Sequence, residues 1–408
     1  PFLIFGTGVL DAEYQKRIAA PAGFCSGKTT PQIRPGSPLV FWLRFQRELT
    51  GFLRFDVKGP EGAQIHVQFQ ENLGSPGPGE TFILPAHRWQ HETLILRGFE
   101  FLQVTLSFPG GSACAQPIEF FDLKAIFTAF PVRYAGSCEC SDPMLNRIWQ
   151  AGRWTTQLCM QAYHLDSPIH QEGLGCTGDY LIESLISAYC FGETRLARKD
   201  LLRTAYLLDQ KQCRMFHTSY SLLWIWMAKA YWMHTGDVDL IREITPALHR
   251  LLNLFHSYIG TPGLITEAPN YMFVDWVNVQ GYSLHHPPAS MGQGAMNAFY
   301  YQALLDAVSL CEALGDSRAA ARYRGQAAVL RVAFNRHLWN PRKKLFQDGL
   351  PGITRVKPHD WLPPDSSAPT FTAHTNVLAV AVDLAPRKIQ ADLMHRIMRD
   401  ESLPDMQP

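Results

Sequence analysis

Apolar residues change their spacing once along the 408-residue chain. Across residues 38–132 they fall in short runs rich in Val, Phe, Ile and Leu, closed by turn sequences such as Lys58-Gly59-Pro60-Glu61-Gly62 and Pro109-Gly110-Gly111. Gly51-Phe52-Leu53-Arg54-Phe55-Asp56-Val57 and Gln64-Ile65-His66-Val67-Gln68-Phe69 alternate apolar and polar positions, the period of strands with one buried face. Several such strands predict an N-terminal antiparallel β-sandwich. After Ser141 the apolar period becomes three to four. Ser141-Asp142-Pro143-Met144-Leu145 sets a cap residue before a proline at the first helical position. Further helices are predicted at about residues 178–191, 195–212, 220–235, 238–257, 293–314, 317–334, 373–383 and 386–399. His234-Thr235-Gly236-Asp237 and Ala313-Leu314-Gly315-Asp316 are similar corners, in which Gly closes one helix and Asp opens the next. Roughly nine helices with short connections predict stacked antiparallel hairpins, the units of a helical toroid. The chain is therefore read as multidomain, with a β-sandwich over residues 1–135 and an all-α domain over residues 136–408.

Composition narrows the partners. With 37 basic and 36 acidic residues there is no basic footprint for nucleic acid and no polybasic run for a membrane surface, so a neutral ligand fits better. Ten Trp and 14 Tyr supply flat apolar faces with polar tips; sugar binding is one use for them and core packing the commoner one. Nine cysteines are an odd, scattered number, and Cys138 and Cys140 lack a second pair to complete a zinc site. A reducing, cytoplasmic compartment is expected, or a periplasmic one if a signal has been removed, since the chain starts without Met. No apolar run reaches the roughly 20 residues of a membrane span. Neither metal nor cofactor is expected: His285 and His286 are adjacent, point to opposite sides of an extended chain, and no further ligands accompany them.

Chemistry concentrates in Asp166-Ser167-Pro168-Ile169-His170-Gln171-Glu172-Gly173-Leu174-Gly175-Cys176-Thr177-Gly178-Asp179, between two predicted helices. Three carboxylates among glycines and a proline describe a shaped loop whose acidic groups converge. Glycoside hydrolysis needs one protonated carboxyl to protonate the leaving oxygen and one ionised carboxylate to activate water or attack carbon. Glu172 suits the first role, with partial burial expected to favour its protonated form. Asp166 and Asp179 suit acceptors of sugar hydroxyls; the plainer alternative is that both cap helices. Glu183, one helical turn past Asp179, shares its face and either binds sugar or supports Asp179.

This stretch resembles the signature loop of the bacterial α-L-rhamnosidases, which carries an Asp-Cys-Pro start, a Glu near the middle and a Gly-Trp-x-Gly-Asp end. The resemblance implies an (α/α)6 six-hairpin barrel, an inverting mechanism, Glu172 as general acid, and Asp166 and Asp179 as ligands of rhamnose hydroxyls. Three positions depart from the pattern: Ser167 replaces the Cys, His170-Gln171 an Arg-containing pair, and Cys176 the Trp. Val274-Asp275-Trp276 is similar to the family's Gly-Asp-Trp segment, which implies that Asp275 and Trp276 face the pocket; a helix cap and a packed indole are the alternative. Glu267 and Tyr271 lie in the same long loop, and His374 opens a late helix near which family members place a pocket turn. The family's general base lies further downstream than this chain reaches, so the barrel is expected to be incomplete at the C-terminus, with about three helices more needed to close it. The expected activity is release of terminal non-reducing α-L-rhamnose from a glycoside. A glycosidase for another sugar, or a non-catalytic carbohydrate-binding protein, are the alternatives.

Overall fold

The computed structural model describes residues 2–5, 38–75, 77–108, 118–173, 175–215, 217–266, 272–279, 282–285, 287–353, 363–364 and 368–399. The chain divides into two compact units, one of Pro1–Arg133 with Cys138–Gln171, the other of Tyr134–Ser137 with Glu172–Pro408. A strand-rich N-terminal region is followed by a helical one, as the change of period predicts.

The first unit holds β1 (Phe2–Phe5), β2 (Leu39–Lys58), β3 (Gln64–Gln70), β4 (Gly79–Ile83), β5 (Trp89–Glu92), β6 (Arg97–Ser107) and β7 (Glu119–Phe127). All their ladders are antiparallel, and the 20-residue β2 organises them. Its first part, Leu39 to Arg44, runs between β1 and β6. Its second part, Gly51 to Lys58, pairs with β7 along one edge and with β5 along the other. The register against β6 shifts between Arg44 and Leu49, and β6 stays paired beyond it to Gly51. β6 continues the sheet to β3 and β3 to β4. Hydrogen bonding thus joins all seven strands through one strand.

The alternation read in the sequence sets the faces. β3 buries Ile65, Val67 and Phe69 and leaves Gln64, His66 and Gln68 partly exposed. These side chains share a core with Phe41, Phe55 and Leu123, and each such burial contributes roughly 1.5–3 kcal/mol. Ring contacts cross that core edge-on, Phe41 to Phe120 at 6.4 Å and Phe55 to Phe82 at 5.2 Å. The helix α1 (Pro143–Cys159) meets these strands through Trp154 and its last turn, while most of its length is exposed. Asp142 caps it by accepting from the Met144 amide at 2.7 Å. Trp154 donates to the Glu48 carbonyl at 2.8 Å, stacks on Phe127 and carries the Arg47 guanidinium over its ring.

The second unit contains α2 (Thr177–Phe191), α3 (Arg195–Gln210), α4 (Thr218–Thr235), α5 (Val238–Ser257), α6 (Ala289–Ala313), α7 (Ser317–Leu338), α8 (Ala373–Ala381) and α9 (Arg387–Ile397). Two short hairpins join them, β8 (Asn278–Val279) with β9 (Tyr282–Ser283), and β10 (Trp339–Asn340) with β11 (Leu345–Phe346). Both predicted corners form as read. Gly236 and Gly315 take positive φ of 65° and 77°, and Asp237 and Asp316 then accept from the amides of Leu240 and Ala319 at 2.9 Å. The helix α6 starts at Ala289, four residues before the predicted 293, and its glycines serve packing. A Cβ on Gly292 would lie 2.1 Å from the Met272 side chain, and one on Gly294 2.5 Å from that of Thr375.

Asp306 is an acid inside this helical core. It is 8% exposed, accepts from Gln302 at 2.9 Å, and burial pushes its ionisation up to about 7 from an ordinary 3.8. The folded state therefore holds this proton more tightly than the unfolded chain. Its contribution to stability is fully present below pH ~4 and is lost as pH rises through about 7, a difference on the order of 4 kcal/mol. Asp306→Asn is accordingly expected to leave the melting temperature nearly unchanged at pH 4 and to raise it at pH 8. Equal melting shifts at the two pH values would contradict this reading.

Candidate active site

The segment that carries Glu172 is fixed by its backbone. The Tyr180 hydroxyl, from α2, donates to the Glu172 carbonyl at 3.1 Å. Arg203, from α3, donates to the Gly173 carbonyl at 2.7 Å and pairs with the fully buried Asp200 at 3.4 Å. Gly175 turns the chain into α2 with φ of +90°. Cys176 takes the N-cap position of α2, yet its side chain does not cap the helix. Its thiol instead donates to Glu172 Oε2 at 3.4 Å. Glu172 itself is exposed, not partly buried as expected, and the Gly173 that follows it has no side chain to cover it.

Asp166 belongs to the first unit. Its side chain is mostly buried, with Ser167 Oγ at 3.5 Å and His170 Nδ1 at 3.6 Å from Oδ2. Gln171, also of the first unit, adopts a positive φ of 58° and donates to the Leu96 carbonyl at 3.0 Å and to the Pro168 carbonyl at 2.9 Å. Neither Asp166 nor Asp179 occupies a helix N-cap position. Asp179 lies in the first turn of α2, where the exposed amides and helix dipole favour a carboxylate.

Asp179, Asp275, Trp276 and His374 are drawn into one constellation in the second unit, through a residue the sequence did not single out. Tyr220, in the first turn of α4, stands between the Trp276 indole and the Asp179 carboxylate and interacts with both; burial first and that carboxylate second push its ionisation up. The tyrosine comes this close because Gly178 has no side chain: a Cβ there would lie 2.7 Å from the ring. The Thr177 hydroxyl donates to the Tyr220 carbonyl and ties α2 to α4 at the same level.

Next to Trp276, Asp275 receives its own main-chain contact from the Trp276 amide at 2.7 Å and lies 2.9 Å, through Oδ2, from His374 Nε2. A carboxylate only accepts, so Nε2 carries the hydrogen, and this bond holds the Asp275 ionisation below its ordinary value against the opposing effect of burial. Trp276 is 65% exposed, with its ring 4.0 Å from that of the buried His285. His217 and Phe273 extend this aromatic wall, 4.3 Å apart. An exposed indole backed by packed rings offers a rigid flat face to an apolar sugar surface. Tyr220, His217 and Phe273 sit in ordinary apolar-helical or loop context, and only their three-dimensional convergence identifies them.

Glu183 is buried on α2, one turn beyond Asp179. His286, Glu267 and Tyr271 lie outside the described residues. Among the described residues no cluster of three or more His, Cys, Asp or Glu side chains is arranged to hold a metal ion, and no helix is long and apolar enough to cross a membrane.

The model of the bacterial α-L-rhamnosidase six-hairpin glycosidase domain matches residues 133–402. This chain belongs to that family. Among curated relatives of this rhamnosidase-family chain, an α-L-rhamnosidase of Streptomyces avermitilis is 23% identical over 287 residues, which are 64% of this chain and 27% of the relative. One from Formosa agariphila is 20% identical over 352 residues, 74% of this chain and 35% of that protein. The family member described here thus spans about a quarter to a third of the length of these relatives. Among solved structures, the GH78 family rhamnosidase of Bacillus sp. GL1 superposes with a TM-score of 0.77 at 22% identity, covering 91% of this chain and 38% of that one. The rhamnosidase from Klebsiella oxytoca with rhamnose bound gives 0.74 at 17% identity, covering 98% of this chain and 78% of the other. At these identities the likeness establishes a shared fold.

Proposed function

We propose that the chain carries the sugar-binding side and the general acid of an inverting α-L-rhamnosidase. The observation that carries this reading is the Trp276–Tyr220–Asp179 relay of neighbouring polar side chains, which leads from an exposed indole to a carboxylate three residues past the N-cap of the helix that follows Glu172. The relay holds an acceptor for sugar hydroxyls and a stacking face in a fixed relation, as pre-organised binding requires. Asp275, fixed by His374 and held ionised by it, supplies a second acceptor beside the same indole. Asp166 is assigned to hydroxyl binding on its place in the motif, and Glu183 to support of Asp179 from the turn below.

In the proposed reaction Glu172 gives its proton to the glycosidic oxygen as the bond to the anomeric carbon breaks. Water, activated by a carboxylate base, attacks that carbon from the opposite face, which inverts its configuration. The fold assigned to this chemistry is a β-sandwich over residues 1–135, in which the two parts of β2 serve two layers, and an (α/α)6 arrangement of hairpins from residue 136 onward. A second reading keeps the chemistry and changes the sugar; it is favoured by Cys176, which stands where the family motif has Trp.

One experiment separates them. Proton NMR of a reaction started on an aryl α-L-rhamnoside should show β-L-rhamnose accumulating before mutarotation, and a panel of aryl glycosides should give rhamnose release at least about 100-fold above the rest. First appearance of the α-anomer would overturn inversion. Cleavage of another glycoside with no rhamnose release would favour the second reading, and saturable sugar binding without any turnover would leave a carbohydrate-binding protein.

A further inference from the structure

Cys176 is a buried thiol at the start of α2, 6% exposed, in a position where Ser, Thr, Asp or Asn would cap the helix. Its sulfur turns away from the helix amides and meets Glu172 Oε2 at 3.4 Å. Both ends of this contact are held. Tyr180 and Arg203 fix the backbone carbonyls of Glu172 and Gly173, and Cys176 begins a helix whose next residue, Thr177, is bonded to α4. The Glu172 carboxyl, by contrast, is on an exposed, multiply rotatable side chain followed by Gly173. A side chain of that kind loses rotamer freedom when it must aim at one oxygen, unless a neighbour has already aimed it.

We infer that Cys176 is a positioning residue for Glu172: its thiol orients the carboxyl through Oε2 and stabilises the carboxylate that remains once the proton has gone to the leaving oxygen. The inference rests on the proposed role of Glu172 as general acid. As the bond between the anomeric carbon and the leaving oxygen breaks, the Glu172 proton moves to that oxygen and the carboxyl becomes anionic. The thiol keeps its hydrogen and only donates it as a hydrogen bond. A donor that gains strength as its acceptor becomes charged favours the transition state over the ground state. A thiol is a weak donor, so the effect is modest, about five- to tenfold in rate. Its size must also depend on how much the leaving group needs the proton.

That dependence supplies the test. In the full protein, Cys176→Ala and Cys176→Ser are compared with wild type on an alkyl α-L-rhamnoside, whose leaving group needs protonation, and on a 2,4-dinitrophenyl α-L-rhamnoside, whose leaving group does not. The expected result for Cys176→Ala is a five- to tenfold lower kcat on the alkyl glycoside with KM unchanged, and less than a twofold change on the dinitrophenyl one. Cys176→Ser, which retains a donor and is itself a favoured cap, should restore most of the loss. Melting curves of both variants separate folding from function. Equal losses on the two substrates, or no loss in a folded Cys176→Ala protein, would overturn the inference while leaving the acid assignment intact. Glu172→Gln run alongside distinguishes the other failure: if its own loss ignores the leaving group, Glu172 is not the acid and the role of Cys176 falls with it.

Discussion

Glu172→Gln lowers kcat on an alkyl α-L-rhamnoside, whose leaving group needs the proton, by about 10²–10⁴-fold and changes the dissociation constant for L-rhamnose by less than about threefold. The magnitude is that of a positioned general acid, and the amide keeps the size and hydrogen-bonding reach of the carboxyl while being unable to give up a proton. Binding survives because the proposed hydroxyl acceptors and the stacking face are other groups. Asp179 is held by Tyr220, Asp275 by His374, and Trp276 by His285 and Tyr220, none of which contacts depends on the Glu172 carboxyl. Turnover by single-turnover kinetics and rhamnose affinity by titration calorimetry read the two quantities separately. Retention of more than about a tenth of the wild-type kcat would remove Glu172 from the acid role. A parallel loss of affinity would place its carboxyl among the sugar ligands instead.

The second large effect is on the scaffold beneath the site. Asp348 is completely buried, and its Oδ1 accepts from the Thr372 hydroxyl and the Thr375 hydroxyl at 2.7 Å and from the Thr372 amide at 3.1 Å. These three donors form the start of α8, whose first turn carries His374. Asp348→Ala strands them in the core. With roughly 1–3 kcal/mol for each buried donor left unpaired, partly relieved by relaxation, a loss of about 3–5 kcal/mol is expected. Chemical denaturation should show it as a lower midpoint with little change in slope. Because α8 then loses its anchor, the His374–Asp275 pair should loosen and rhamnose affinity fall as well. Asp348→Asn keeps the shape and one acceptor and should cost less. Burial pushes the Asp348 ionisation up, so its stabilising share is fully present below the ordinary carboxylate range and declines as pH rises through its folded value. The deficit of the Asn variant should therefore shrink toward alkaline pH. A midpoint unchanged in Asp348→Ala would show that α8 is held by its apolar contacts alone.

What could be read beforehand divides along physical lines. Local chemistry was legible: the glycine with positive φ followed by a capping Asp at 236–237 and 315–316 is a property of four consecutive residues, and both corners formed. Alternation in 64–69 was legible because a strand's period is imposed by its own backbone. The early start of α6 was not, since a glycine that makes room for Met272 looks the same in sequence as one that breaks a helix. At the site, Asp275 and His374 could be named separately, 99 positions apart, but their 2.9 Å contact depends on how α8 packs. Tyr220 had no signal, being one of 14 tyrosines on a helix already rich in aromatic residues. The exposure of Glu172 was also hidden, because loop glycines permit both close approach and open access, and sequence does not distinguish the two.

The strand β2 has a consequence for how the first unit comes apart. Four other strands take their hydrogen bonds from it: β1 and β6 beside Leu39 to Arg44, and β7 and β5 beside Gly51 to Lys58. At Phe41 to Arg44 and at Arg54 to Val57 the strand is paired on both edges, so opening there must release two partners at once and β2 defines a single cooperative opening unit. Its amides from Arg54 to Val57, paired on both sides and set beside the buried Phe55 and Val57, should be the slowest of the strand-rich unit to exchange with deuterium. When they do exchange, β5 and β7 should lose protection in the same step, while the outer edge at β4, tied only to β3, frays earlier and alone.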